Sequence, residues 1–124
     1  MARILIVDDD SAFQNAMASF LEARGYEVWK APDPRVLQSL TRAERPDLII
    51  LDIQMPHGGG PEGLRHILDN PGTADVPLLF CSGLPLETLH ALLPSAPDRA
   101  HLQKPFNFLA LAEVVERLLQ APKE

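Results

Sequence analysis

Basic charge is scarce in this 124-residue chain: 11 Lys and Arg stand against 17 Asp and Glu, a formal net charge of -6. No run of Lys or Arg supplies the basic face that phosphate neutralisation demands, so direct binding of nucleic acid is not expected. Cysteine is limited to Cys81, which can close no intrachain bridge. It lies in an apolar run, as a small core hydrophobe of a protein in a reducing compartment would. Long hydrophobic runs are absent as well. The amino end passes from Met1-Ala2-Arg3 through only Ile4-Leu5-Ile6-Val7 before acids begin, far short of the roughly 20 apolar residues of a membrane span and without a signal-peptide core. The expectation is a soluble, cytoplasmic protein that does not bind membranes. No repeat, low-complexity stretch or linker divides the chain. Residues 1–124, 46% of them hydrophobic, are therefore expected to form one domain that buries its core without metal or disulfide staples.

What the chain does have is a set of short apolar strands that run into polar residues. In Pro46-Asp47-Leu48-Ile49-Ile50-Leu51-Asp52, four consecutive apolar residues read as a strand buried on both faces, the mark of a central parallel strand covered by helices. Ile4 to Val7 is a second such strand and ends in Asp8-Asp9-Asp10. Ser11 and Gln14 suit a capping box, and Phe13, Met17, Phe20 and Leu21 keep helical spacing until Gly25. Tyr26 to Ala31 alternates like an edge strand, and Asp33-Pro34 opens a helix with Val36, Leu37 and Leu40 on one side. After Met55-Pro56, a loop at His57 to Gly60 leads to Pro61 at a first helical position, with Leu64, Ile67 and Leu68 as the helix's core face. Val76 to Cys81 is the fourth strand, followed by Ser82-Gly83 and a helix carrying Leu86, Leu89, Leu92 and Leu93. His101 to Gln103 is the fifth, closing on Lys104-Pro105-Phe106. Asn107 then caps a last helix that buries Leu111, Val114, Val115, Leu118 and Leu119. Five strand-helix units in alternation give an α/β fold with a single doubly wound parallel sheet and helices on both faces.

The strand ends together supply Asp8, Asp9, Asp52, Ser82 and Lys104, and the crevice beyond the carboxyl ends of such a sheet is where α/β proteins bind ligands. Close carboxylates repel by up to about 4 kcal/mol per pair at an effective dielectric near ~20, so the cluster calls for a cation. A hard divalent ion, Mg2+, takes one or two carboxylates and completes its octahedron with water and phosphate oxygens. A lysine and a hydroxyl beside it can hold further phosphoryl oxygens, which suits an aspartate that accepts a phosphoryl group.

On Asp8-Asp9, Asp52 with Met55-Pro56, Ser82 and Lys104-Pro105-Phe106, each behind its strand, the chain resembles a response-regulator receiver domain of two-component signalling over essentially its whole length. The resemblance implies a flavodoxin-like strand order of 2-1-3-4-5. It implies phosphorylation of Asp52 by a histidine kinase or histidine phosphotransfer protein, with Mg2+ bound by Asp9, Asp52 and the carbonyl of Gln54 and Asp8 assisting through water. Lys104 would bridge to the phosphoryl group, and Ser82 would swing toward it as a switch residue. The Lys104-Pro105 bond would be cis. His101 stands where the family usually carries a switching Tyr or Phe, on the face of the fourth helix, fifth strand and last helix, which receivers use for downstream partners, effector domains or homodimers. Such a domain is no enzyme in its own right, although it assists its own phosphorylation and dephosphorylation. Ending at Lys123-Glu124, the chain reads as a stand-alone receiver or as the receiver part of something longer.

Two rival readings use the same residues. Ile4 to Asp10 also resembles the opening motif of haloacid-dehalogenase-type phosphatases, with Asp8 as nucleophile, but Ala12 stands where that family has threonine and little chain is left for a substrate cap. A pseudo-receiver that binds partners without phosphorylation is the other, and the intact acid, hydroxyl and lysine set speaks against it. Gly58-Gly59-Gly60 is followed by Pro61 rather than the Lys-Ser/Thr of a P-loop.

Overall fold

Apolar residues without alternation need cover on both sides, and the structure supplies it. In the computed structural model, which describes residues 1–32, 45–53, 60–85, 87–88, 91 and 96–120, the strands are β1 (Arg3–Val7), β2 (Glu27–Ala31), β3 (Leu48–Asp52), β4 (Leu78–Ser82) and β5 (Arg99–Gln103). They form one parallel sheet in the order β2-β1-β3-β4-β5. β3 and β4 are buried at every position, whereas the edge strands β2 and β5 are mostly half-buried. Helix α1 spans Ser11–Ala23, α2 spans Gly60–Asp69 and α3 spans Phe108–Leu119.

Alternate residues of each strand serve opposite faces. Ile4, Ile6, Leu48, Ile50, Leu79 and Cys81 pack with Met17, Ala18 and Leu21 of α1 and with Leu111, Val115 and Leu118 of α3. Leu5, Val7, Ile49, Leu51, Leu78 and Phe80 pack on the other side with Ile67 of α2. The doubly wound architecture is thus built on two separate apolar layers. Cys81 lies inside the first of them, and burial pushes its thiol up to about 12, so it remains a protonated core residue. No helix among the described residues is long and apolar enough to cross a membrane.

Helix ends follow local chemistry. The α1 cap is Asp10, whose carboxylate accepts from the Phe13 amide at 3.1 Å, in place of the expected capping box on Ser11 and Gln14. Gln14 faces inward and is buried instead. The helix stops at Gly25, whose φ of 96° only glycine adopts readily. The Gly25 amide donates to the Glu22 carbonyl at 3.0 Å and the Tyr26 amide to the Leu21 carbonyl at 3.2 Å, the paired bonds of a Schellman motif. Asn107 caps α3 as expected, accepting from the Ala110 amide at 2.7 Å. Strands β4 and β5 begin two residues away from their expected starts, at Leu78 and Arg99. Leu68, expected in the core face of α2, is 41% exposed, because α2 turns Ile67 and Leu64 to the sheet. Val36, Leu37 and Leu40 lie outside the described residues, as do Leu86, Leu89, Leu92 and Leu93 of the helix expected after Ser82-Gly83, although Glu87, Thr88 and Ala91 in that stretch are helical.

Candidate functional site

In-register pairing of Val7 with Leu51 sets the carboxyl ends of β1 and β3 side by side, so Asp8 and Asp52 surface at the same rim. Asp8 and Asp52 are almost wholly buried, and Asp9 is exposed. A carboxylate oxygen from each of the three lies within 4.8 Å of the others. Asp8 is held by two backbone bonds. Its Oδ1 accepts from the Asp10 amide at 2.9 Å, and its own amide donates to the Ala31 carbonyl at 3.1 Å.

Lys104 arrives from the far side of the rim. Its amide donates to the Ser82 carbonyl at 2.7 Å and the Lys104-Pro105 bond is cis, as the resemblance implies. Lys104 Nζ stands 3.4 Å from Asp8 Oδ2 and 3.6 Å from Asp52 Oδ2. One ammonium is thus shared by two carboxylates. Burial raises the pKa of Asp8 above its ordinary value; the Asp10 amide opposes the shift, the Asp52 charge adds to it, and Lys104 pulls the other way. Among the described residues, three carboxylates are grouped here with one ammonium near two of them, and the cluster carries net negative charge. A hard divalent cation, which prefers carboxylate oxygens and water, fits that donor set.

Ser82 closes β4 fully buried, and its Oγ accepts from the Leu84 amide at 3.0 Å in the turn that follows. His101 is half-buried on β5, its ring 5.3 Å from that of its cross-strand neighbour Phe80. Gln54, with Met55 and Pro56, lies outside the described residues. What Gln14 does is not read from its place in the chain: its Nε2 donates to the Ile6 carbonyl at 2.9 Å and to the Ala31 carbonyl at 2.8 Å. One amide therefore ties the carboxyl ends of β1 and β2 together directly below Asp8. An inward glutamine one turn into the helix after an acid-tipped strand is the only signal that could have marked it.

Comparisons with known proteins identify the family. A family model described as the response regulator receiver domain matches residues 4–116. The chain is 34% identical over 122 residues to the DNA-binding dual master transcriptional regulator RpaA of Synechocystis, covering 97% of this chain and 50% of that one. It is 30% identical over 119 residues to Protein PilH of Pseudomonas aeruginosa, covering 96% of this chain and 98% of PilH. The chain thus spans about half of the first relative and nearly all of the second. Among solved structures, the receiver domain of the hybrid histidine kinase CckA shares 36% identity at a TM-score of 0.74, with 96% of this chain and 100% of that one covered. These matches displace the phosphatase reading that Asp8-Asp9-Asp10 also allowed. A match that takes in all five strands and the acidic rim makes the chain a member of the response regulator receiver-domain family.

Proposed function

We propose that residues 1–124 act as one receiver domain in which Asp52 accepts a phosphoryl group from a phosphohistidine on a histidine kinase or histidine phosphotransfer protein. The observation that carries this reading is Lys104 Nζ within 4 Å of both Asp8 and Asp52, reached from a different strand end. Lys104 offsets part of the charge of these two buried carboxylates, and its ammonium can also meet an incoming phosphoryl oxygen. An Asp52 carboxylate oxygen forms the new bond to phosphorus. The P–N bond breaks, its electron pair stays with the imidazole nitrogen, and that nitrogen takes a proton from water. Lys104 offsets charge on the phosphoryl oxygens through the transfer, and Ser82 turns its hydroxyl from Leu84 toward the group. Asp9, Asp52 and the carbonyl of Gln54 would hold Mg2+, with Asp8 assisting through water. When bound, the cation neutralises the acid cluster and the phosphoryl oxygens.

The resulting change at Ser82 and His101 alters the surface around β5, through which a downstream partner, an effector domain or a second copy of the chain is engaged. The domain is a switch rather than an enzyme with a separate substrate, and its place is the cytoplasm. Phos-tag electrophoresis after incubation with acetyl phosphate tests the reading. A shifted band should require Mg2+, vanish with chelator and be missing from Asp52→Asn. A band that persists in Asp52→Asn overturns it.

A further inference from the structure

Lys104 has a third neighbour besides the two carboxylates. Its Nζ lies 4.4 Å from the centroid of the Phe13 ring, within the range in which a ring face attracts an ammonium. Phe13 sits in the first turn of α1, and its amide is the one that caps onto Asp10. The same triplet that supplies the acids therefore fixes the backbone of the ring. The ring is also braced by its own kind: Phe106 meets it edge-on at 5.8 Å and 76°, and Phe108 lies 6.4 Å away. Phe106 follows the Lys104-Pro105 pair, so the lysine and the brace leave the same turn.

The carboxylates alone hold the ammonium loosely. Distances of 3.4 and 3.6 Å exceed the usual ~2.7–2.9 Å of a charge-assisted N–H to carboxylate bond. A four-carbon stem also retains many rotamers unless something restricts it. We propose that Phe13 is a positioning residue for phosphoryl transfer: its ring face, braced by Phe106, holds the Lys104 ammonium over Asp8 and Asp52 where the phosphoryl oxygens arrive. The proposal rests on Asp52 as the acceptor.

The test compares Phe13→Leu, which keeps apolar bulk and loses the ring, with Phe13→Tyr, which keeps the ring. With Mg2+ and saturating acetyl phosphate, Phe13→Leu should take up phosphate roughly 2- to 30-fold more slowly, the span of a cation–π contact from exposed to desolvated. Phe13→Tyr should restore the rate, and Phe13→Met serves in place of the leucine variant if that one fails to fold. In a Lys104→Ala background the leucine substitution should cost nothing further. A readout free of any donor is the NMR signal of the Lys104 side-chain methylene next to the ammonium, displaced upfield by the ring in wild type and Phe13→Tyr and returned in Phe13→Leu. A missing displacement in wild type, or a lost displacement with an unchanged rate, overturns the proposal. Failure of the reading beneath it looks different: wild type would then take up no phosphate at Asp52 while the ring displacement persisted.

Discussion

At the amino end of the sheet, Arg3 pairs with Glu27 at 3.2 Å, the Arg3 amide donates to Asp47 at 2.7 Å, and Arg45 pairs with Asp75. At the carboxyl end, Asp8, Asp9 and Asp52 crowd together, and Lys104 stands within 4 Å of Asp8 and Asp52. Both ends carry charge, yet only one leaves it poorly compensated and partly buried. Charges paired at an exposed rim cost little and add little. Carboxylates drawn together and taken out of water cost the metal-free fold, and such clusters concentrate at functional sites. The difference is what makes the carboxyl end, rather than the amino end, the proposed site.

The largest expected effect comes from removing the shared cation. Lys104→Ala should slow phosphoryl uptake from acetyl phosphate on the order of 100-fold, the scale of losing one preorganised donor to a transferring group. A rate within a fewfold of wild type would mean the two ends are less different than their geometry.

Gln14→Leu attacks the support of the working end. It strips donors from the Ile6 and Ala31 carbonyls and should lower stability by roughly 1–3 kcal/mol, read as a lower urea midpoint. Asp8→Asn sharpens the comparison in the opposite direction. Because burial raises the folded-state pKa of Asp8, its ionised form opposes folding. That cost is absent below the unfolded value of 3.8 and complete above the raised folded value. Metal-free Asp8→Asn should therefore melt above wild type at neutral pH, with the gap closing as pH falls through that window. Saturating Mg2+ should narrow the gap as well. The smallest effect belongs to the amino end, where Arg45→Ala should cost only about 0–1 kcal/mol, since its ion pair is more than half exposed.

Much of this organisation is written in local sequence. Unbroken apolar runs at Ile4–Val7 and Leu48–Leu51 announce two-sided burial, and acids placed after them announce the rim. Asn107 and Gly25 mark helix ends because each has a local task that few residues can do. The contributions of Gln14 and Phe13 were not legible. A glutamine one turn into an amphipathic helix looks like a solvated position or a capping partner, and only the third dimension reveals two strand carbonyls beneath it. Phe13 reads as one more core residue of α1 by its spacing. Its ammonium partner lies 91 positions away along the chain, in the turn after β5 whose Lys104 amide donates to the Ser82 carbonyl. Leu68 shows the same limit from the other side, since helical spacing admits several apolar residues to a face while the sheet accepts Ile67 first.

The most direct test of the central claim locates the covalent bond itself. Protein incubated with Mg2+ and acetyl phosphate is reduced with borohydride, which converts an acyl phosphate to the alcohol, and the modified peptide is sequenced by mass spectrometry. The reduced residue is expected at Asp52, none at Asp8 or Asp9, and none at all in chelator. Reduction at Asp8 would contradict it and return the chain to phosphatase-like chemistry.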